Sequence, residues 1–258
     1  MNDDCLTPIP WETRNLGMPA FALSASFAQA PDEARLRAAL QQCRTAHASF
    51  FAQARITPDS RLSQMLERHG FYFVETALRV SIALAKPSAL DAFRVAPEAV
   101  LPRRYATDTL ALRPLEARTG HDIDAVLAIA AESFVDDRFH HDHQCPTEVA
   151  DRRYRLWTAD LLADASVHID LLTLREAPIG FMARRGEHLL LAGFARRYAG
   201  AGLGQYLWLR VLDGMDRSGL RRAHSVVSAN NIPVLNLYTR LGFRFSAPQP
   251  TYHTWEGR

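Results

Sequence analysis

A glycine-rich stretch near residue 200 constrains the fold of this chain more than any other feature of its sequence. Residues 197–204 read Arg-Tyr-Ala-Gly-Ala-Gly-Leu-Gly, after a strand-like apolar run at 188–195 and before a helical pattern of apolar residues. Glycines allow a sharp turn with inward-pointing N–H groups, and a helix start adds four unpaired N–H groups and a positive dipole end. A strand, a glycine loop and a helix in this order predict a site that binds a pyrophosphate.

The surroundings of this loop exclude two common nucleotide-binding folds. No Gly-Lys-Ser/Thr follows the glycines, so the loop is not a P-loop. A dinucleotide-binding unit would place its loop after the first strand of a parallel sheet. Here the loop follows three strands, at 167–174, 179–183 and 188–195, that are joined by tight turns. We therefore predict an α/β (α+β) fold with a mixed, mostly antiparallel sheet flanked by helices.

Composition and length exclude several classes of protein. The chain has 258 residues, 48% hydrophobic and 22% charged, as in soluble globular proteins, and no apolar run approaches the ~20 residues of a membrane span. A net charge of +2 without a basic run gives no reason to expect nucleic-acid binding. The three cysteines form no C-x-x-C pair and the acidic N-terminus is unlike a secretory signal. We therefore expect a cytoplasmic protein that binds neither nucleic acid nor membranes.

Two units and a connector can be distinguished along the chain. We predict a smaller N-terminal α/β domain at 1–86, a proline-containing linker at 87–106 and a larger domain at 107–258. The predicted strands are 21–27, 50–56, 71–84, 109–115, 167–174, 179–183, 188–195, 224–229 and 243–255, and the predicted helices are 32–46, 60–69, 121–134, 147–163, 203–219 and 233–242. The histidine-rich stretch 135–146 has no periodicity and is predicted as a loop.

The first unit contains a weak echo of the last one. Its strand–helix–strand order recurs 172 residues later, where Gly242 corresponds to Gly70. If the echo is a true repeat, the first copy is degenerate, because Leu66 stands where Tyr238 stands and residues 28–35 lack the glycine-rich turn. Chance recurrence of so common an order is an equally open interpretation.

A second signature follows the glycine loop. Residues 231–243 read Asn-Ile-Pro-Val-Leu-Asn-Leu-Tyr-Thr-Arg-Leu-Gly-Phe. Together the two runs resemble the signatures of the GNAT superfamily of acetyl-CoA-dependent N-acyltransferases, Arg/Gln-x-x-Gly-x-Gly/Ala and Asn-x-x-Ala-x-x-Leu-Tyr-x-x-x-Gly-Phe, and so imply a GNAT fold. With Gly202 and Gly204 as the motif glycines, Ala199 stands at the Arg/Gln position and a usual phosphate contact is missing. The alternative register, with Gly200 and Gly202, places Arg197 there.

Other parts of the chain are similar to a narrower group, the dTDP-fucosamine acetyltransferases and related amino-sugar enzymes. The similarity rests on Trp11-Glu12 with Leu16-Gly17, on the run 66–75, and on the run 134–139, which ends in Asp-Arg-Phe. It implies that the acceptor is an amino sugar. If the internal echo is a true repeat, the N-terminal domain is a degenerate half of a GNAT fold.

The superfamily resemblance assigns acetyl-CoA as the co-substrate and names the residues that hold it. The main chain of Phe194, Ala195 and Arg196 would face the pantetheine arm and the acetyl oxygen, where a backbone N–H acts as oxyanion donor. The implied pyrophosphate contacts are Ala199, Gly200, Ala201, Gly202, Leu203 and Gly204, and the implied pantetheine contacts are Asn231 and Asn236.

Two residues are candidates for catalysis. Tyr238 is the predicted general acid, because a phenol with a pKa near ~10 stays protonated at neutral pH and is matched to a thiolate leaving group. A core tyrosine with a satisfied hydroxyl is the alternative. Glu75 matches the Val-Glu position of the amino-sugar enzymes and is the candidate base or acceptor contact; an exposed carboxylate at a strand end is the alternative.

The loop after the helix at 121–134 is the candidate acceptor pocket. Arg138, Phe139 and His141 are its predicted substrate contacts, and an arginine there suits an acidic acceptor. A solvated loop without a role in binding is the alternative. The neighbouring histidines do not predict a metal site, since adjacent loop residues rarely converge on one ion.

These observations predict acetyl transfer by direct attack in a ternary complex, because no cysteine lies in either motif to form an acyl-enzyme. The favoured acceptor is a small-molecule amine, specifically a nucleotide-linked amino-deoxy sugar. Another small amine (an antibiotic, an amino acid or a polyamine) and a non-catalytic acyl-CoA-binding regulator are the alternatives, and a homodimer is left open.

Overall fold

Ten strands form one mixed sheet in the computed structural model, which describes residues 5–85, 88–105, 109–115, 120–134 and 137–257. The strands are β1 (Leu6–Pro8), β2 (Ala20–Leu23), β3 (Phe50–Arg55), β4 (Tyr72–Ala83), β5 (Leu110–Pro114), β6 (His168–Leu174), β7 (Ala177–Arg185), β8 (His188–Phe194), β9 (Arg222–Ser228) and β10 (Arg244–Glu256). Their order across the sheet is β1-β2-β3-β10-β4-β9-β8-β7-β6-β5. Only the β2/β3 and β8/β9 pairs are parallel, so the predicted mixed, mostly antiparallel sheet is confirmed.

Nine α-helices cover the two faces of this sheet in the described part of the chain. They are α1 (Pro10–Leu16), α2 (Ala25–Gln29), α3 (Glu33–Ala46), α4 (Ser60–Arg68), α5 (Ser88–Val95), α6 (Gly120–Ser133), α7 (Thr147–Ala163), α8 (Gly204–Arg217) and α9 (Ile232–Leu241). None of them combines the length and the apolar composition that crossing a bilayer requires.

The helices bury apolar faces against the strands that they follow. Helices α5, α8 and α9 share the largest core cluster with strands including β4, β8 and β9, and Leu207 and Met215 of α8 are completely buried there. Helices α3 and α4 pack on β3, and α6 and α7 pack on β6 and β7. Each fully buried leucine or methionine contributes roughly 1.5–3 kcal/mol, so these faces fix the helices on the sheet.

The echo in the sequence corresponds to a repeat in the structure. The first repeat is β2-α3-β3-α4-β4 and the second is β8-α8-β9-α9-β10. When each strand of the first repeat is exchanged with its counterpart in the second, the central order β2-β3-β10-β4-β9-β8 is the same order read in reverse. A two-fold axis between β10 and β4 would produce this arrangement. Since β10 lies between β3 and β4, the two repeats share one sheet, and the predicted division at 87–106 stays a prediction.

Two local predictions were wrong, and one helix was missed. The segment predicted as an irregular linker contains α5 and a 3₁₀ turn at Pro97–Val100. The strand predicted at 21–27 ends at Leu23, because the Ser24 hydroxyl accepts a hydrogen bond from Phe27 N at 3.2 Å and starts α2. Helix α1 was not predicted at all, since it is too short to show a periodic pattern.

Candidate active site

A cleft opens where β8 and β9 separate. These parallel neighbours are in register only at His188 and His224, near their starts, and the Ser225 hydroxyl still reaches Leu189 O at 2.8 Å. Towards their carboxyl ends the described strands make no further registered pair. Backbone groups on the facing edges therefore lack sheet partners and are available to a ligand.

The cleft has a volume of about 320 Å³ and is walled by strands from both repeats. Its lining includes Glu75 and Ala77 of β4, Leu190, Leu191 and Ala192 of β8, Val226, Val227 and Ser228 of β9, Trp208 of α8, Tyr154 and Trp157 of α7, and Asn231 and Tyr238 at α9. Backbone edges, two tyrosines and charged side chains thus meet in one cleft, which is what a group-transfer site requires.

Tyr238 forms part of the wall of this cleft. Its side chain is 3% exposed and lies edge-on to the Trp208 ring, with the ring centroids 6.2 Å apart. Burial raises the pKa of Tyr238 above the ordinary value for a phenol. The hydroxyl is therefore protonated at neutral pH and can donate a proton within the cleft.

The turn before α9 places Asn231 at the same cleft. Its side chain accepts a hydrogen bond from Val234 N at 3.2 Å and caps the helix, and the helix ends at Gly242, whose φ of +83° favours glycine. These two caps fix where α9 begins and ends, and this places Tyr238 on the face of the helix that lines the cleft. Asn236, the other predicted pantetheine contact, is exposed and does not line the cleft.

The glycine loop presents the N-terminus of α8 as an anion site. Gly200 and Gly202 adopt φ values of +67° and +82°, which L side chains rarely reach. No side chain caps the helix, and Leu207 N makes the first helical bond, to Leu203 O. The N–H groups of residues 204–206 therefore have no acceptor within the helix and are free to bind a phosphate.

The connector contacts the outside of this loop, which the sequence analysis missed. Arg104 Nη2 donates to Ala201 O at 3.1 Å. A Cβ atom on Gly202 would lie 2.8 Å from Cγ of Pro102, so only glycine fits beneath the proline ring. The proline-containing run at 97–102 indicated that the backbone there is ordered. It did not indicate the partner, because a contact with residues a hundred positions away leaves no local pattern in the sequence.

The main chain at the end of β8 is already engaged within the protein. Phe194 O accepts a hydrogen bond from the Ser133 hydroxyl at 2.8 Å, Ala195 N donates to Ile179 O at 2.9 Å, and Arg196 N donates to Glu132 at 3.3 Å. The N–H groups of Ala195 and Arg196 are thus not free as oxyanion donors. The cleft instead exposes the β8 segment 190–192.

Glu75 lies in the cleft rather than at an exposed strand end. It is 6% exposed, in the middle of β4, and it lines the same cavity as Tyr238. Arg55 of β3 also lines this cavity and attracts Glu75 electrostatically. The first repeat therefore contributes a carboxylate and a guanidinium to the site of the second, and the role of Glu75 as a base stays a prediction.

Of the three predicted acceptor contacts, the structure brings only Arg138 to the cleft. Phe139 is completely buried in a core cluster with Phe51, and His141 is exposed outside the cleft. Both departures have a common cause, because the loop that carries these residues is folded and anchored rather than open.

Asp142 is the anchor of the histidine-rich loop. Its carboxylate accepts hydrogen bonds from Tyr72 Oη at 2.5 Å, His253 Nδ1 at 2.7 Å and Trp255 Nε1 at 2.8 Å. These donors come from β4 and β10, so Asp142 ties the loop to the centre of the sheet. Within the described ranges, no group of three or more His, Cys, Asp or Glu side chains is placed to hold a metal ion.

Comparison with known proteins identifies the architecture around this cleft. Residues 132–243 match the family model described as the acetyltransferase (GNAT) family. The chain is 30% identical over 190 residues to a mycothiol acetyltransferase of Renibacterium salmoninarum, an alignment that spans 70% of this chain and 51% of that protein. The chain therefore spans about half the length of this curated relative, which is not a dTDP-fucosamine acetyltransferase.

Solved structures share the fold at low sequence identity. A GCN5-related N-acetyltransferase from Sphaerobacter thermophilus superposes with a TM-score of 0.60 and 17% identity, over 92% of this chain and 72% of that one. A tandem GNAT protein from the clavulanic acid biosynthesis pathway superposes with a TM-score of 0.60 and 13% identity, over 94% of this chain and 77% of that one. The predicted GNAT fold is confirmed.

Proposed function

We propose that the protein transfers an acetyl group from acetyl-CoA to the primary amine of a small molecule, because residues 132–243 match the model of the GNAT acetyltransferase family. The observation that carries this proposal is the cleft between β8 and β9, which has Tyr238 in its wall, together with the uncapped start of α8, the helix that follows β8. Both features suit a thioester that carries a pyrophosphate.

The loop and α8 supply the binding energy for the co-substrate. The N–H groups of residues 204–206 and the helix dipole would hold the pyrophosphate, with Arg104 fixing the loop through Ala201 O. The free edges of β8 and β9 would pair with the amides of the pantetheine arm. A backbone N–H in the segment 190–192 would stabilise the negative charge that develops on the acetyl oxygen.

Tyr238 and Glu75 would divide the proton transfers. The Tyr238 hydroxyl, held protonated by burial, donates its proton to the departing thiolate. Glu75 lies in the same cleft and accepts, directly or through water, the proton that the ammonium must lose before it attacks. No cysteine lines the described cleft, which favours direct attack in a ternary complex over an acyl-enzyme.

The acceptor is narrowed by the size of the cleft, which admits a small molecule and the end of the pantetheine arm. A nucleotide-linked amino-deoxy sugar is the acceptor that the N-terminal sequence resemblance favours. An acceptor of the kind used by the mycothiol acetyltransferase relative is the second candidate, because that relative covers 70% of this chain.

A thiol-release assay with acetyl-CoA tests the proposal. We expect release of CoA with at least one member of a panel of nucleotide-linked amino sugars, other amino sugars, amino acids, aminoglycosides and polyamines. Calorimetry should separately detect binding of acetyl-CoA. Binding of acetyl-CoA without turnover of any amine would overturn the enzyme assignment and favour a non-catalytic acyl-CoA-binding regulator.

A further inference from the structure

Three arginines meet in the part of the cleft formed by α7, β3 and the loop after α6. We propose that Arg55, Arg138 and Arg153 bind an anionic group, a carboxylate or a phosphate, on the acceptor molecule itself. This inference rests on the proposed function and narrows its substrate to a small molecule that carries both an amine and an anion.

A single buried carboxylate fixes two of these guanidinium groups. Glu12 of α1 is 2% exposed, and its Oε1 accepts hydrogen bonds from Arg138 Nη2 at 2.7 Å and from Arg153 Nη2 and Nε at 3.1 and 3.3 Å. Two cations thus share one anion beneath the cleft. Each guanidinium has five N–H donors, so most of them remain available to a ligand.

Aromatic rings hold Arg153 in place. Its guanidinium carbon lies 4.9 Å from the centroid of the Trp11 ring and 5.0 Å from that of Phe139. Cation–π contacts of this kind stabilise the charge and restrict the side chain. Arg153 is therefore fixed before any ligand arrives, and such preorganisation reduces the entropy lost on binding.

Arg138 has bonding capacity that the protein does not use. Its Nε atom is buried and has no hydrogen-bond partner among the described residues. Burial, and then the like charge of Arg153, lowers the pKa of Arg138 to about 10, so the group is still charged at neutral pH. A buried cation with a neighbouring cation is costly until an anion binds between them.

The three guanidinium groups differ in their hydrogen-bond partners. Glu12 accepts hydrogen bonds from Arg138 and Arg153, and Asp137, which also lines the cleft, attracts Arg153 although it is hydrogen-bonded to His140. Among the described side chains, the Arg55 guanidinium has no hydrogen-bond or ion-pair partner and is only attracted by Glu75 across the cavity. An anionic ligand would supply the acceptor that Arg55 lacks.

The same cleft offers a place for the amine. Glu75 is buried beside Arg55, in the cavity that also contains Tyr238. The carboxylate of Glu75 can bind the ammonium group of an acceptor, and the guanidinium groups can bind its carboxylate or phosphate. The arrangement therefore suits both ends of a small zwitterion, and it places the amine in the cavity that Tyr238 also lines.

Matched pairs of acceptors test this inference. The probes are β-alanine against β-alaninamide, and phosphoethanolamine against ethanolamine, so that each pair differs in its anion and the two pairs separate carboxylate from phosphate. We expect the anionic member of at least one pair to have a kcat/KM at least ~10-fold higher, and Arg138→Gln to abolish that preference. The Arg138→Lys variant should retain part of it.

Arg37→Gln is the charge-matched control, because Arg37 is exposed on α3 and lies outside the cleft. Arg55→Gln is a second test variant in case Arg138→Gln does not fold. Calorimetry of the same four probes on protein saturated with CoA, which blocks the pyrophosphate loop, measures binding without turnover.

The outcomes separate this inference from the proposed function. Turnover of amines without any preference for the anionic probes would overturn the inference and leave the acetyltransferase proposal standing. Selective binding of an anionic probe to the wild type but not to Arg138→Gln, without turnover of any amine in the thiol-release panel, would support the anion site and overturn the acetyltransferase proposal. Absence of preference in both turnover and binding overturns the inference.

Discussion

The two repeats of this molecule use the same framework for different purposes. Asp59 and Asn231 start equivalent helices, and Gly70 and Gly242 end them, with 172 residues between the members of each pair. At the corresponding position inside the helix, the first repeat has Leu66 and the second has Tyr238. Leu66 is completely buried in the core, whereas Tyr238 reaches the cleft.

The parallel strand pairs of the two repeats also differ, in how far they stay in register. In the first repeat, β2 and β3 are in register over the run from Ala20 to Ala22. In the second, the parallel pair β8 and β9 is in register at one point only. The comparison shows that the framework does not itself create a site, because the site depends on strands that separate.

The helix starts differ as well. Helix α3 begins at Asp32, whose carboxylate accepts a hydrogen bond from Arg35 N at 2.9 Å. Helix α8 begins after Leu203, which has no side chain that could cap it. An acidic cap satisfies one N–H group and repels a phosphate, so the start of α8 is the better candidate for a phosphate site than the start of α3.

The largest effect on acetyl-CoA binding is expected when the start of α8 is made acidic, as the start of α3 is in the first repeat. Gly204→Asp places a carboxylate at the start of α8, next to the predicted pyrophosphate site. A like charge about 4 Å away costs roughly 4 kcal/mol at an effective dielectric constant of 20, so we expect the Kd for acetyl-CoA to rise by about 10³-fold. Isothermal titration calorimetry measures this change.

Gly204→Asn is the matched control, because it has nearly the same size without the charge. A Cβ at this position would lie 3.3 Å from Cδ2 of Leu237 in either variant, so the steric effect is shared. An equally large loss of affinity in both variants would contradict the electrostatic explanation.

Removing the hydroxyl that distinguishes the second repeat should have the next largest effect. Tyr238→Phe keeps the ring packed on Phe243, 4.6 Å away between centroids, but removes the proton donor. We expect kcat to fall by about 10²-fold while the Kd for acetyl-CoA is unchanged. Steady-state kinetics and calorimetry on the same preparation check this, and full activity in the variant would assign Tyr238 to the core alone.

The equivalent position of the first repeat should affect stability instead. Leu66→Ala leaves a cavity in a completely buried site, and we expect the free energy of unfolding to decrease by about 2–5 kcal/mol. Urea denaturation followed by circular dichroism measures this decrease. The kcat of the folded fraction should be unchanged. A loss of kcat without a loss of stability would contradict a purely structural role for this position in the first repeat.

The smallest effect is expected at the helix start of the first repeat. Asp32→Ala removes the cap of α3 and should decrease the free energy of unfolding by about 1 kcal/mol, because one N–H group loses its acceptor. Thermal unfolding measures it, and Asp59→Ala at the start of α4 is the matched control. Neither variant should alter kcat or the Kd for acetyl-CoA.

The sequence predicted those parts of the fold that depend on local periodicity. The stripes of apolar residues in α3, α4 and α8 and the glycine caps lie where the pattern placed them. Tyr238 and Asn231 were found because two local signatures contain them. The order of the strands was not predicted, since pairing of β10 with β3 and β4 joins segments about 200 residues apart.

The charge partners in the cleft could not be predicted from the sequence either. Glu12 and Arg153 are separated by 141 positions, and nothing near either residue indicates the partner. Arg138 was identified from its place in a loop, but the same argument wrongly placed Phe139 and His141 in the pocket, because a loop sequence does not show which of its side chains are buried.

The position of β10 also has a consequence for how the chain is made. During synthesis, β3 and β4 leave the ribosome long before residues 244–256, the strand that fills the gap between them. Until then each has an unpaired edge, and such edges pair readily with other chains. The nascent first repeat therefore presents two unpaired strand edges, and its sheet is complete only when translation has passed residue 256.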